Sequence, residues 1–209
     1  MVKSPVGGKM DELHRFRSQY KLKENQVLLI PYGSQVYGTA TPKSDEDYFA
    51  IILDDSCVTG EEYLHDNVNI HIYNSNDWQD QLTAHKIHTL EAHFHPDGLA
   101  KSYFCFDLDL KTLRDSICEK SSHSFVKAKK KFKIEKDYYI GMKSLFHSLR
   151  ILKFGIQIAK FKKITDFGEA NEFWNEIITS QQYNWDYFDD KYKPIYNELA
   201  TEFRKVAPK

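Results

Sequence analysis

Gly33, Ser34, Asp45 and Asp47 are residues whose types and spacing suit phosphate and metal chemistry. They lie in one stretch, Ile30 to Asp47, which reads IPYGSQVYGTATPKSDED. A glycine lets backbone N–H groups close on a phosphate, and the hydroxyl beside it can reach the same oxygens. Two carboxylates at i and i+2 of an extended segment point the same way and suit a hard divalent cation, Mg2+ or Mn2+. The chemistry this combination would serve is nucleotidyl transfer.

Positioning these groups requires strands. The apolar run Val27 to Pro31 predicts a central strand, and Asp47 to Asp55 a second one rich in aromatic and β-branched residues. Alternation puts Asp45, Asp47, Phe49, Ile51 and Leu53 on one side of it. Pro42 excludes a long helix from the segment between the two. Ser56 to Asp66 reads as polar loop. A third strand is expected over Asn67 to Tyr73, with Val68, Ile70 and Ile72 facing one way and Asn69, His71 and Tyr73 the other. Ahead of the strands, Leu13, Phe16 and Tyr20 give Lys9 to Tyr20 the pattern of a covering helix. Short helices are expected over Asp77 to Thr83 and His85 to Phe94, while Ser102 to Leu108 suits a strand or a helix start. From Leu110 the pattern is helical: Lys111 to Glu119, Ser124 to Phe132, Tyr138 to Phe161, Glu169 to Thr179 and Lys193 to Val206. The expected class is α+β, with a mixed αβ unit over residues 1–95 and an all-helical half over 96–209.

The 209 residues, with 41% hydrophobic and 14% aromatic content, are enough for a sizeable core and argue against disorder. The net charge of −1 conceals segregation. Residues 1–100 carry 8 Lys and Arg against 15 Asp and Glu, residues 101–163 carry 16 against 6, and the remainder 5 against 9. An acidic block followed by a basic one fits metal carboxylates opposed by a phosphate-binding surface. Cys57, Cys105 and Cys118 are odd in number and unclustered, which favours free thiols over disulfides or a zinc site. Met1 to Asp11 has no apolar leader segment, and no run of about 18 apolar residues occurs. The expected location is the cytoplasm, with no membrane partner; oligomeric state is not readable.

Gly33-Ser34, ten intervening residues and Asp45-x-Asp47 at a strand start resemble the signature of the DNA polymerase β-like nucleotidyltransferase superfamily. The fuller run Gly33-Ser34-x-x-Tyr37-Gly38-Thr39 with Ser44-Asp45-x-Asp47 looks like the predicted nucleotidyltransferases associated with RNA repair. Leu90-Glu91, the lysine-rich segment and KSLFHSLR at Lys143 to Arg150 extend the resemblance over most of residues 27–165. It implies a polymerase-β-like mixed sheet with flanking helices. It implies that Gly33 and Ser34, within the run that includes Tyr37, Gly38, Thr39 and Ser44, contact a nucleoside triphosphate. It implies that Asp45 and Asp47 ligate two metal ions, and that an RNA end is the acceptor. The pattern expects a third carboxylate on the neighbouring strand, where this chain has Asn69. An amide oxygen can ligate a metal but brings no charge and is a poor proton acceptor. Three explanations stand side by side: an engineered inactive variant, a natural binding-only relative, or a third ligand from elsewhere, Asp66 or His71.

Lys127, Lys129, Lys130, Lys131, Lys133 and Lys136 put six lysines in ten residues, preceded by Ser121, Ser122, His123 and Ser124. They read as a clamp for RNA or triphosphate, against a solvated helix face. Lys143, His147 and Arg150 form one stripe of the long helix, suited to phosphates held opposite the aspartates. His85, His88, His93 and His95 read as ordinary structure rather than a metal site. Phe173, Trp174, Tyr183, Trp185, Tyr187 and Phe188 read as packing rather than a base-stacking platform. The expected function is metal-dependent transfer of a nucleotide to an RNA end, against a silent nucleotide- or RNA-binding relative or nucleotidylation of a protein side chain.

Overall fold

The computed structural model describes residues 5–53 and 60–208. Four strands, β1 (Val27–Tyr32), β2 (Glu46–Ile52), β3 (Glu62–His65) and β4 (Val68–Asn74), make one mixed sheet in the order β1-β2-β4-β3. β1 is antiparallel to β2, β2 parallel to β4, and β3 antiparallel to β4. Pro31 is tolerated because β1 is an edge strand. β3 falls in the stretch expected to be polar loop. Its four residues bury only Tyr63, so its pairing with β4 has no local apolar pattern to announce it. The end of the second predicted strand, Asp54 and Asp55, and Cys57 lie outside the described residues.

Eight α-helices stand among the described residues: α1 (Pro5–Gln19), α2 (Ser34–Tyr37), α3 (Ser75–Thr83), α4 (Ile87–His93), α5 (Leu110–Lys130), α6 (Tyr138–Phe161), α7 (Asn171–Thr179) and α8 (Trp185–Val206). The class is α+β, as expected. The two helices expected over 111–132 are one, α5, ending in a π-turn at Lys131–Glu135. Its polar run Ser121 to Ser124 is no break, because Ser121 is buried and its Oγ donates to the Ser148 carbonyl of α6 at 2.8 Å. α8 begins two turns before the expected Lys193 and carries Pro194 inside it. Burial of Trp185, Phe188 and Tyr192, with the Asn184 side chain capping the first turn, outweighs the proline's lost hydrogen bond. Ser102 to Leu108 is neither strand nor helix start; a short 3-10 turn at Ala100–Ser102 leads into irregular chain.

The sheet separates two apolar layers. One face carries Val27, Tyr48, Ala50, Ile52, Val68, Ile70 and Ile72 and is covered by Phe16 of α1. The other carries Leu28, Ile30, Phe49 and Ile51, which pack into the same core as Leu113, Leu149, Phe154 and Phe188 of the helices. That core runs without a break across the boundary expected near residue 95. No helix among the described residues is long and apolar enough to cross a membrane.

Candidate metal-nucleotide site

Strand register builds the floor of the site. β2 pairs Asp47 with Asn69 of β4 on one side and with Tyr32 of β1 on the other. The next row on the same face is Ile30, Phe49, His71 and Glu62. Tyr32 stacks on Phe49 with ring centroids 3.9 Å apart, closing the floor beside Asp47. Asp45 is exposed just ahead of β2, whose first residue is fixed by Glu46 N–H donating to the Asn67 carbonyl at 2.7 Å. Ser44 closes the turn ahead of Asp45, its Oγ accepting from Thr41 N–H at 2.9 Å.

Gly33 joins β1 to α2 with φ 78° and ψ −151°, a backbone region open in practice to glycine alone. A Cβ there would also lie 2.6 Å from Asp47 Oδ2. The turn therefore rests directly on the carboxylate. Gly38 ends α2 in the left-handed region (φ 74°), and Thr39 N–H bonds back to the Ser34 carbonyl at 3.0 Å. Gly33→Ala is expected to lower stability by about 1–3 kcal/mol, and a thermal melt measures it.

Asn69 Nδ2 donates to Asp47 Oδ1 at 3.3 Å. Its own Oδ1 is buried with no hydrogen-bond partner among the described residues. An orphaned buried acceptor costs about 1–3 kcal/mol, so a cation or hydroxyl placed there is stabilising. The Asp45 and Asp47 carboxylates and the Asn69 carbonyl are hard oxygen donors, the kind that Mg2+ and Mn2+ take.

Burial pushes the Asp47 pKa up, and Asp45 adds to the rise; the Lys143 ammonium, the Asn69 hydrogen bond and His71 draw it partly back. A carboxyl raised in the fold contributes stability below the ordinary carboxylate range, and that contribution is lost as pH rises through the raised value. At neutral pH the charge on Asp47 therefore weakens the metal-free fold. Asp47→Asn is expected to raise the metal-free Tm at pH 7, by less at pH 4, and to abolish any rise in Tm on adding Mg2+. Melting curves across pH, with and without Mg2+, check the sign.

Of the two substitutes for a third carboxylate, Asp66 is corrected. It lies in the β3–β4 turn beside His65 and Glu12, under α1 on the face opposite Asp47. His65 Nδ1 is 2.8 Å from Glu12 Oε2 and 3.5 Å from Asp66 Oδ2, and Glu12 also pairs with Arg15 at 2.7 Å. This is the one gathered set of metal-ligating side chains among the described residues. His71 does lie on the site face, with Nδ1 3.0 Å from Glu62 Oε1. Glu62 is a site-face carboxylate that sequence reasoning missed, because β3 was missed. His85, His88, His93 and His95 do not converge with any third ligand among the described residues. Burial holds His88 and His93 down at about 4.

The helical wall supplies positive charge. The Lys143 ammonium of α6 draws the Asp47 pKa down, and His147 packs edge-on to Tyr37 with ring centroids 6.3 Å apart. Burial, then Arg150, Lys143, Lys127 and Lys120, holds His147 well below its ordinary pKa. Lys120 and Lys127 lie at i and i+7 of α5, and the charges of both, with that of Lys143, are felt at His147. Lys120 was overlooked; its relation to Lys127 shows only once α5 is a single helix.

Arg150 and Tyr37, expected at the nucleotide, are spent on structure. Arg150, 5% exposed, places Nη1 2.5 Å from Glu91 Oε1, and its guanidinium lies 3.7 Å over the Tyr37 ring. Tyr37 OH donates to Glu91 Oε2 at 2.6 Å, and Asn171 Nδ2 donates to the Tyr37 carbonyl at 2.7 Å. The triad braces the Gly33 turn from behind. In the lysine run, Lys130 and Lys131 pair with Glu135 at 3.2 and 2.5 Å, and Lys133 pairs with Asp186 at 2.8 Å. Ser122, Lys127 and Lys129 are exposed, and the two lysines make no ion pair among the described residues. Trp174, Trp185 and Phe188 are core, whereas Tyr183 and Tyr187 reach the surface.

No protein-family model matches the chain, and no curated protein matches it.

Proposed function

We propose that the chain is a polymerase-β-like, metal-dependent nucleotidyltransferase acting in the cytoplasm, moving a nucleotide from a nucleoside triphosphate onto an RNA end. The observation that carries it is Asp47 beside Asn69 on parallel strands, directly under the Gly33 turn and facing Lys143. Asp45, Asp47 and the Asn69 carbonyl would hold Mg2+ or Mn2+, which when bound polarises phosphoryl oxygens and offsets their charge. Gly33 and Ser34 position the phosphates at the mouth of the turn. Lys143, Lys120 and Lys127 balance the triphosphate's negative charge from the helical side, and such preorganised charge supplies most of the catalysis in phosphoryl transfer. Free Cys105 and Cys118 suit a reducing compartment.

A second reading has its own observation. The Asn69–Asp47 hydrogen bond satisfies in the apo protein what a third carboxylate would leave to cations, which favours a relative that binds nucleotide and RNA without transfer. The test offers the protein a triphosphate labelled on its α-phosphate, with Mg2+ or Mn2+, and an RNA oligomer or a protein mixture. Label on RNA is the expected result, and label on protein moves the acceptor. Binding without transfer selects the silent reading. Absence of Mg2+–ATP binding overturns both.

A further inference from the structure

The stripe of α6 that carries Lys143 and His147 begins one turn earlier with Tyr139, at i, i+4 and i+8. Three contacts set that stripe against the site. The His147 ring meets Tyr37 of the phosphate turn, Asn171 at the start of α7 bonds the carbonyl of the same Tyr37, and Trp174, one turn along α7, meets the Tyr139 ring. The turn, α6 and α7 thus meet in one place, and Tyr139 stands at the surface of α6 about 5–6 Å along the helix from Lys143.

Tyr139 is 54% exposed, yet its ring meets Trp174 in a T-shaped contact at 6.2 Å and 76°. Trp174 is itself buried and packed on Phe146 at 5.4 Å. A single T-shaped partner covers at most one face of a ring, so a face of Tyr139 is left uncovered by Trp174. A fixed aromatic face one turn from an ammonium group matches a ligand that joins a flat base to a phosphate. We propose that Tyr139 is the stacking surface for a nucleobase delivered beside Lys143, belonging either to the bound triphosphate or to the end of the RNA acceptor. The proposal rests on the metal-nucleotide reading of the site.

The test compares Tyr139→Ala, Tyr139→Phe and the unaltered chain for binding of Mg2+–ATP, of Mg2+–tripolyphosphate, which has no base, and of a short fluorescein-labelled oligoribonucleotide. Tyr139→Ala is expected to lose at least about fivefold in affinity for a ligand whose base stacks there. Tyr139→Phe keeps the ring and binds like the unaltered chain. A loss for ATP with tripolyphosphate unchanged assigns the base to the nucleotide. A loss for the oligoribonucleotide with ATP unchanged assigns it to the acceptor. Unchanged binding of all three by Tyr139→Ala overturns the proposal, as does a parallel loss of all three, which would mark Tyr139 as structural. If the unaltered chain binds none of them, the site reading itself fails and takes the proposal with it.

Discussion

Asn69→Asp is expected to raise metal-dependent nucleotidyl transfer by about a hundredfold or more, the scale of one well-placed charge-stabilising group. Register puts residue 69 directly beside Asp47, and the amide already turns its Nδ2 to that carboxylate at 3.3 Å. A carboxylate at 69 removes the donor and brings a second charge to within a few ångströms of the first. Without a cation, the two repel and raise each other's pKa, so the metal-free Tm falls. With Mg2+ or Mn2+ the same repulsion becomes added affinity, and the acceptor hydroxyl gains an anionic group to receive its proton. Initial rates and paired melts, with and without metal, follow both effects. Tighter metal binding with no faster transfer would show that residue 69 is not where transfer is limited.

Glu91→Gln is expected to destabilise the protein by about 3–5 kcal/mol, because it strands a buried guanidinium. Glu91 holds Arg150 on one oxygen and the Tyr37 hydroxyl on the other, and both charged side chains are almost fully enclosed. Replacing all three together, Glu91→Leu, Arg150→Met and Tyr37→Phe, removes every stranded polar group. It is expected to recover most of the lost stability, since buried ion pairs seldom outperform well-packed apolar groups. Urea unfolding of the single and triple variants decides the matter. A triple variant as unstable as Glu91→Gln would mean that the shape of the triad, rather than its charge, holds the turn.

The parts of the site legible in the sequence were those fixed by local chemistry. Gly33-Ser34 and Asp45-x-Asp47 carry their requirements in the chain itself, a positive φ and an alternating strand. The same alternation put Asn69 and His71 on the site face. Groups whose role depends on a distant partner were misread. Arg150 and Tyr37 looked available because nothing in their own segments shows Glu91, 59 and 54 residues away. Lys120 and Glu62 were hidden behind misplaced elements, one by a serine-rich run whose first member, Ser121, proves buried, the other by an edge strand with a single buried side chain. In the lysine run, Asp186 neutralises Lys133 from 53 residues away, a pairing that local charge cannot reveal.

The unbroken core beneath the sheet has a practical corollary. A fragment ending near residue 95 would keep Asp45, Asp47, Glu62 and the glycine turn, yet buried Glu91 would lose Arg150, and the core that Leu90 and Trp78 share with Leu113, Leu149 and Phe154 would be cut open. Such a truncation would go to aggregates rather than to a small stable domain. Transplantation of this site onto another protein would therefore need the whole chain, because the helices of its second half also close the core that the sheet and its own helices leave open.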